Sequence, residues 1–239
     1  MTELTLSGET VLVTGSNGGL GVEFVTQALE RGASKVYATA RTPRDWADDR
    51  VVPLALDVLD QASIEHAVAT ASDVTVVVNN AGIYPLKDSL LHGTQAEFRQ
   101  IFDTNFFGAV EIVRAFAPGL AARGGGAIIN VHSALSWRSS AHGAYSASKA
   151  ALWSATNALR VELADQDVHV LGLFMSWVDT PMVAHETEVQ KASPREIVGA
   201  TYDGLERRDY EVLGDDDTRW IRETLSEPIE AMYSELVRD

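Results

Sequence analysis

A chain of 239 residues suits one large α/β domain with a substantial core, and it shows no low-complexity tract or internal repeat. Its formal net charge of -15 argues against nucleic acid or an anionic membrane as partner, and the lack of cysteine excludes disulfides, a thiolate nucleophile and Cys-ligated metal. The six histidines show no paired ligand spacing, no apolar run approaches the ~18 residues of a membrane span, and Met1–Gly8 lacks signal-peptide character, so a metal-free cytoplasmic protein is expected.

Thr10–Thr14 (TVLVT) is a β-branched run ending in a glycine-rich turn, Thr14-Gly15-Ser16-Asn17-Gly18-Gly19-Leu20-Gly21. The apolar helix Leu20–Leu29 follows, closed by Gly32. Strand, glycine turn and helix are the setting that a phosphate cradle needs. Glycines let the backbone approach a pyrophosphate, and the helix start offers free N–H groups and a positive dipole end. Gly15, Ser16, Asn17, Gly19, Leu20 and Gly21 are therefore candidate cofactor contacts, with close strand–helix packing as the competing use of such a turn.

The second strand, Lys35–Thr39, runs into Ala40-Arg41. A carboxylate here would hold an adenosine 2′-hydroxyl, whereas a guanidinium suits a 2′-phosphate. Arg41, helped by Arg44, therefore points to NADP(H), with NAD(H) as second choice. Thr42–Arg50 is too short for a crossover helix, and Val51–Leu56 is the third strand. Asp57, beside Val58, can accept from an adenine amino group or cap the helix Gln61–Ala69. Asp73–Asn79 is an apolar central strand that runs into Asn79-Asn80-Ala81-Gly82, small residues where a chain passes close to a ribose. Asn79, Ala81 and Gly82 join the cofactor candidates. Strand–helix alternation predicts a parallel, doubly wound sheet with ligands at the carboxyl ends. Thr94-Gln95-Ala96-Glu97 is a capping box opening a long helix to about Ala121, and Asn105 within it must find hydrogen-bond partners.

Gly126–His132 is a further strand that delivers Ser133 at its carboxyl end. Alternation places Val131 and Ser133 on one face and His132 on the other, which sets His132 aside as a catalyst. Ser133 can donate to a substrate carbonyl, and Ser136 stands as an alternative. Tyr145-Ser146-Ala147-Ser148-Lys149 opens a helix with a long apolar stripe. Its tyrosine and lysine are four residues apart and share one face, roughly 6 Å between Cβ atoms. A phenol ordinarily titrates near pH ~10; an adjacent ammonium lowers that, giving a tuned proton donor or acceptor.

These motifs together resemble the short-chain dehydrogenase/reductase family, in its compact single-domain branch: TGxxxGxG at Thr14–Gly21, NNAG at Asn79–Gly82, Asn105, Ser133, and YxxxK at Tyr145–Lys149. The resemblance implies a single Rossmann-fold domain over residues 1–239, with about 8–131 mainly binding cofactor and 132–239 carrying catalysis, a lid and C-terminal helices. It makes Tyr145 the general acid/base, Ser133 the carbonyl-orienting donor, and Lys149 the residue that binds the nicotinamide ribose and lowers the tyrosine pKa. Asn105 would hold a water in a proton relay, and Thr180 would contact the carboxamide. The activity implied is hydride transfer between NADP(H) and a ketone, aldehyde or alcohol, in a homo-oligomer (dimer or tetramer) joined through the Asn105 and Tyr145 helices. A catalytically silent nucleotide-binding regulator on the same fold is the alternative.

One departure from the family pattern follows the strand Val168–Phe174, where Met175-Ser176 replaces the usual Pro-Gly beside the nicotinamide; a serine tolerates positive φ poorly. Met182–Ala192 is the expected substrate lid. Ser193-Pro194-Arg195-Glu196 should cap the next helix, and Tyr210–Gly214 should be the last strand, followed by a solvated, capping Asp215–Asp217 turn. Leu135, Trp137, Trp153, Trp177, Met182 and Val183 are candidates for an apolar pocket, or else for core and interface. An apolar lining favours a hydrophobic carbonyl substrate.

Overall fold

The computed structural model describes residues 4–85, 89–140 and 142–236. Strands β1 (Thr10–Thr14), β2 (Lys35–Ala40), β3 (Val51–Ala55), β4 (Val76–Asn79), β5 (Gly126–Val131), β6 (Val168–Phe174) and β7 (Glu211–Leu213) pair in parallel. Their order across the sheet is β3-β2-β1-β4-β5-β6-β7. The helices are α1 (Gly19–Glu30), α2 (Gln61–Thr70), α3 (Gln95–Phe102), α4 (Ala109–Ala122), α5 (Gly143–Glu162), α6 (Pro194–Glu206), α7 (Asp216–Thr224) and α8 (Ile229–Met232).

Parallel strands need crossovers, which here cover both faces of the sheet, so both faces are apolar. Val11, Val13, Val36, Val78, Ile129 and Leu171 face one layer, where Phe24 and Val25 of α1 meet Ile197 and Tyr202 of α6. Leu12, Tyr37, Val77, Ile128 and Val170 face the other, against Ile64 of α2 and Ile112 and Phe116 of α4. The alternation of period two along each strand thus builds two cores on one sheet, the doubly wound arrangement. Between β2 and β3 the chain crosses without a helix, as the short Thr42–Arg50 segment requires. Among the described residues no helix is long and apolar enough to cross a membrane.

Several local expectations are corrected. The fourth strand starts at Val76, not Asp73, although Thr75 N already donates to Thr10 O at 2.9 Å. Asp60, not Asp57, caps α2 by accepting from Ala62 N, while Asp57 closes a turn on Leu59 N. Proline does begin α6, but Ser193 makes no side-chain cap bond. The single long helix expected from Thr94 does open with its capping box, then widens into a π turn over Asp103–Gly108 that separates α3 from α4.

Candidate active site

A cavity of about 470 Å³ opens where β1, β4, β5 and β6 end, beside the point at which strand order reverses between β1 and β4. One wall is the glycine turn. Gly15 sits at φ +68°, and a Cβ on Gly21 would stand 2.2 Å from Gly15 O, so turn and helix start meet through bare backbone. Thr14 Oγ1 accepts from the amides of Asn80 and Ala81, both at 2.9 Å, while Asn80 Nδ2 donates to Thr14 O at 2.8 Å. These bonds lock the ends of β1 and β4 together and leave Gly15, Gly18, Gly19, Ala81 and Gly82 lining the cavity. Ser16 and Asn17 brace the turn by donating to Thr39 O and Thr42 O. Gly21 lets the turn close on the helix N-terminus, and Gly18, with nothing within 4 Å of its Cβ position, leaves open space over the turn where a dinucleotide's phosphates would fit.

The opposite wall carries the titratable groups. Ser133 emerges at the end of β5 and lines the cavity; its Oγ accepts from Leu135 N at 3.1 Å. Ser136 is buried away from the cavity, its Oγ accepting from Ser133 N, which singles out Ser133 as the serine able to reach a ligand. Tyr145 and Lys149 lie one turn apart on α5, both buried and both lining the cavity. Lys149 Nζ stands 5.9 Å from the centre of the Tyr145 ring and donates to Val131 O at 2.8 Å. Burial pushes this ammonium down to about 8 from its ordinary 10.5.

Asn105 occupies the π turn, where the helical ladder is broken. Its Oδ1 accepts from Ile83 N at 2.8 Å, and its Nδ2 donates to Ile83 O at 2.9 Å and to Ser148 Oγ at 3.3 Å. It therefore clamps the loop after β4. The Cβ position of Gly82 is 3.3 Å from Asn105 Oδ1 and 3.8 Å from Lys149 Nζ, so this glycine lies between the two side chains. His132 is buried, with Nε2 3.1 Å from Thr156 Oγ1 and its ring stacked on Phe174. Desolvation, with Lys149 and Arg160 nearby, keeps that ring neutral.

A family model described as short chain dehydrogenase matches residues 9–191. The chain belongs to the short-chain dehydrogenases. Human L-xylulose reductase is 33% identical over 187 residues, covering 75% of this chain and 76% of its own. A ketoacyl reductase from Nostoc is 28% identical over 229 residues, with 87% and 79% covered. A short chain dehydrogenase from Burkholderia cenocepacia, in complex with NADP, superposes with TM-score 0.90 at 33% identity over 98% of this chain and 100% of that one. A relative from Burkholderia phymatum, in complex with NAD, shares the fold with TM-score 0.82 at 22% identity, covering 97% of this chain and 96% of that one.

In this short-chain dehydrogenase several of the residues expected to contact cofactor lie outside the lining of this cavity. Asn79 is buried, donating to Ala109 O and Asn130 Oδ1, and its neighbour Asn80 takes the cavity wall. Asp57, Val58 and Arg41 lie off the wall; Val58 packs on the core beside Gly108, and Arg41 is exposed. Leu135, Trp177, Met182, Val183 and Thr180 do line the cavity. Trp137 and Trp153 do not: Trp137 stacks on Phe174 at 4.1 Å and meets Trp153 edge-on at 6.0 Å.

The structure also brings in residues that the sequence reading missed. Tyr84 lies edge-on to Tyr145 at 4.9 Å and to Trp177 at 6.3 Å, closing the site from the β4 side. Arg138 and Ile221 line the cavity as well. The position of Tyr84, just past an NNAG turn at a strand's carboxyl end, was an available signal; nothing in the sequence marked the other two. Ser176 does not need positive φ, since among the described residues only Asp167 and Arg208 are non-glycines in that region. Its amide instead donates to Asp215 Oδ2 at 2.6 Å.

Proposed function

We propose that this short-chain dehydrogenase is an NADP(H)-preferring carbonyl reductase or secondary alcohol dehydrogenase acting on a ketone, aldehyde or alcohol with an apolar body. One observation carries the reading: Tyr145, Lys149 and Ser133 share a single cavity with the glycine turn. The glycine turn and Lys149 would hold the dinucleotide, which would supply or accept the hydride of the reaction when bound. Ser133 Oγ donates to the carbonyl oxygen and orients it, and the Tyr145 hydroxyl delivers or removes the proton on that oxygen. Lys149, held by Val131 O, keeps positive charge beside the phenol and favours its ionised form. Asn105 holds the Ile83 loop against the lysine side of the site. Arg41 supports the 2′-phosphate preference: it is exposed and, among the described residues, pairs with no carboxylate. Copies joined through α4 and α5 complete the proposal.

A panel of aromatic and aliphatic ketones, followed at the reduced-nicotinamide absorbance band with NADPH and with NADH, tests this reading. Tyr145→Phe should cut turnover at least ~100-fold while dinucleotide affinity stays near normal, since only the proton donor is lost. Full activity in that variant, or faster turnover with NADH, would reject the corresponding part.

A further inference from the structure

The chain carries 34 acidic residues against 19 basic ones, yet among the described residues lining the cavity none is a carboxylate and two, Lys149 and Arg138, are cations. Lys149 is already engaged: its ammonium donates to Val131 O and stands beside Tyr145 and Gly82. Arg138 has no comparable role in the reaction. It follows the short 3-10 turn Ala134–Ser136 after Ser133, and its guanidinium lies over the Tyr233 ring at 5.6 Å. A guanidinium has five N–H donors. The acceptor recorded for this one is Glu235, reached by Nη2 at 3.3 Å, and that carboxylate is itself mostly exposed. Arg138 Nε is buried with no acceptor. The side chain as a whole is 32% exposed, so its Nη donors remain within reach of a ligand, and its planar fork matches a carboxylate. Leu135, Met182, Val183 and Ile221 also line this cavity and give it apolar surface.

We propose that the substrate is an oxo acid or hydroxy acid whose carboxylate is separated from the reacting carbon by an apolar spacer, and that Arg138 binds that carboxylate. Glu235 is the counter-ion of the empty site, given up when the ligand arrives. This rests on the reductase reading above and adds a substrate class to it. In a molecule of net charge -15 a local cation is needed to hold an anionic substrate at all, and among the described residues lining the cavity Arg138 is the cation outside the Tyr145–Lys149 pair.

The test uses a matched pair of probes, 4-oxo-4-phenylbutanoate and its methyl ester, with NADPH. The wild type should favour the acid in kcat/KM by at least about tenfold, the effect of one charge-assisted hydrogen bond. Arg138→Met should bring the acid-to-ester ratio to about one, chiefly by raising KM for the acid, while Arg138→Lys retains part of the preference. Glu235→Gln should raise the ratio by about twofold, since a competing carboxylate is gone; a merely structural ion pair would not move it in that direction. Arg207→Met, an exposed arginine paired with Asp209, serves as the control and should leave the ratio alone. A wild-type preference for the ester, or the same ratio in Arg138→Met, overturns the proposal. Should neither probe be reduced, calorimetry of the acid with NADP present separates the two readings. Acid binding lost in Arg138→Met supports the anion site while the reductase reading fails; equal binding to both proteins, or to neither, overturns the site.

Discussion

Lys149 exchanges bulk water for one backbone acceptor, Val131 O, within a buried wall of α5. The desolvation that lowers its pKa to about 8 makes its charge a cost to folding, and the sign of that cost fixes a pH dependence. Below about pH 8 the ammonium is charged in folded and unfolded chains alike, and the burial penalty is felt in full. Between about 8 and the ordinary 10.5 the folded protein has released a proton that the unfolded chain still holds, so stability rises with pH. Urea unfolding of the wild type and Lys149→Met across this window should show the difference moving in favour of the wild type, by on the order of 1 kcal/mol per pH unit. A difference that stays flat would mean that water reaches the ammonium. The same titration bears on the proposed chemistry, because a group ionising near the working pH can relay a proton. Much of this site was legible at the residue scale, since helical spacing alone puts Tyr145 and Lys149 on one face. Arg138 was not, because its unmet donor and its neighbours Tyr233 and Glu235 exist only in three dimensions.

Elements transmit or blur what residues promise. Period-two alternation and β-branched runs were enough to place β1, β2, β5 and β6, because parallel strands buried on both faces leave a strong apolar signature. The Asn79-Asn80 pair shows the limit: adjacent strand residues face opposite ways, so the position one further along takes the cavity wall. Likewise the π turn at Asp103–Gly108 leaves no mark on a helix whose apolar pattern continues through it. Trp137 and Trp153 suit a pocket or a core equally well by composition, and Phe174, from β6, settles the matter by stacking on Trp137. The start of α7 couples an element to the site. Asp215 accepts from Thr218 N at 2.8 Å and Thr218 Oγ1 at 2.7 Å, while its other oxygen takes Ser176 N at 2.6 Å. One carboxylate thus caps a helix and pins the backbone that replaces Pro-Gly. Asp215→Ala should cost about 1–2 kcal/mol in urea unfolding, the typical loss of a cap, and should also raise substrate KM. Asp215→Asn should recover most of the stability. A loss below ~0.5 kcal/mol in the alanine variant would show that the bonds to Thr218 and Ser176 are replaced by solvent.

At the scale of the whole molecule, the cavity is assembled from two sources that the fold keeps apart. The cradle for a dinucleotide comes from the ends of β1 and β4, tied together through Thr14 and Asn80, with α6 packed on the helix that opens it. The substrate side depends on chain that arrives last. Ile221 of α7 and Met232 of α8 pack on Ala134 and, with Leu225 and Tyr233, around Trp137, the turn immediately after Ser133. Tyr233 Oη accepts from Ser139 N at 2.6 Å, which fixes the far end of the same loop. A loop is held in place only by the contacts that cover it, and these contacts sit over the turn after Ser133 rather than over the glycine turn. Stopping the chain after Glu227 removes α8 and Tyr233 while leaving the whole sheet and α1 through α7. NADPH affinity by calorimetry should change by less than about twofold in the truncated protein, whereas KM for a reducible ketone should rise at least about fivefold as the loop after Ser133 loosens. Equal losses in both quantities would mean that the two walls are mechanically one unit, and the separation of cofactor wall from substrate wall would have to be abandoned.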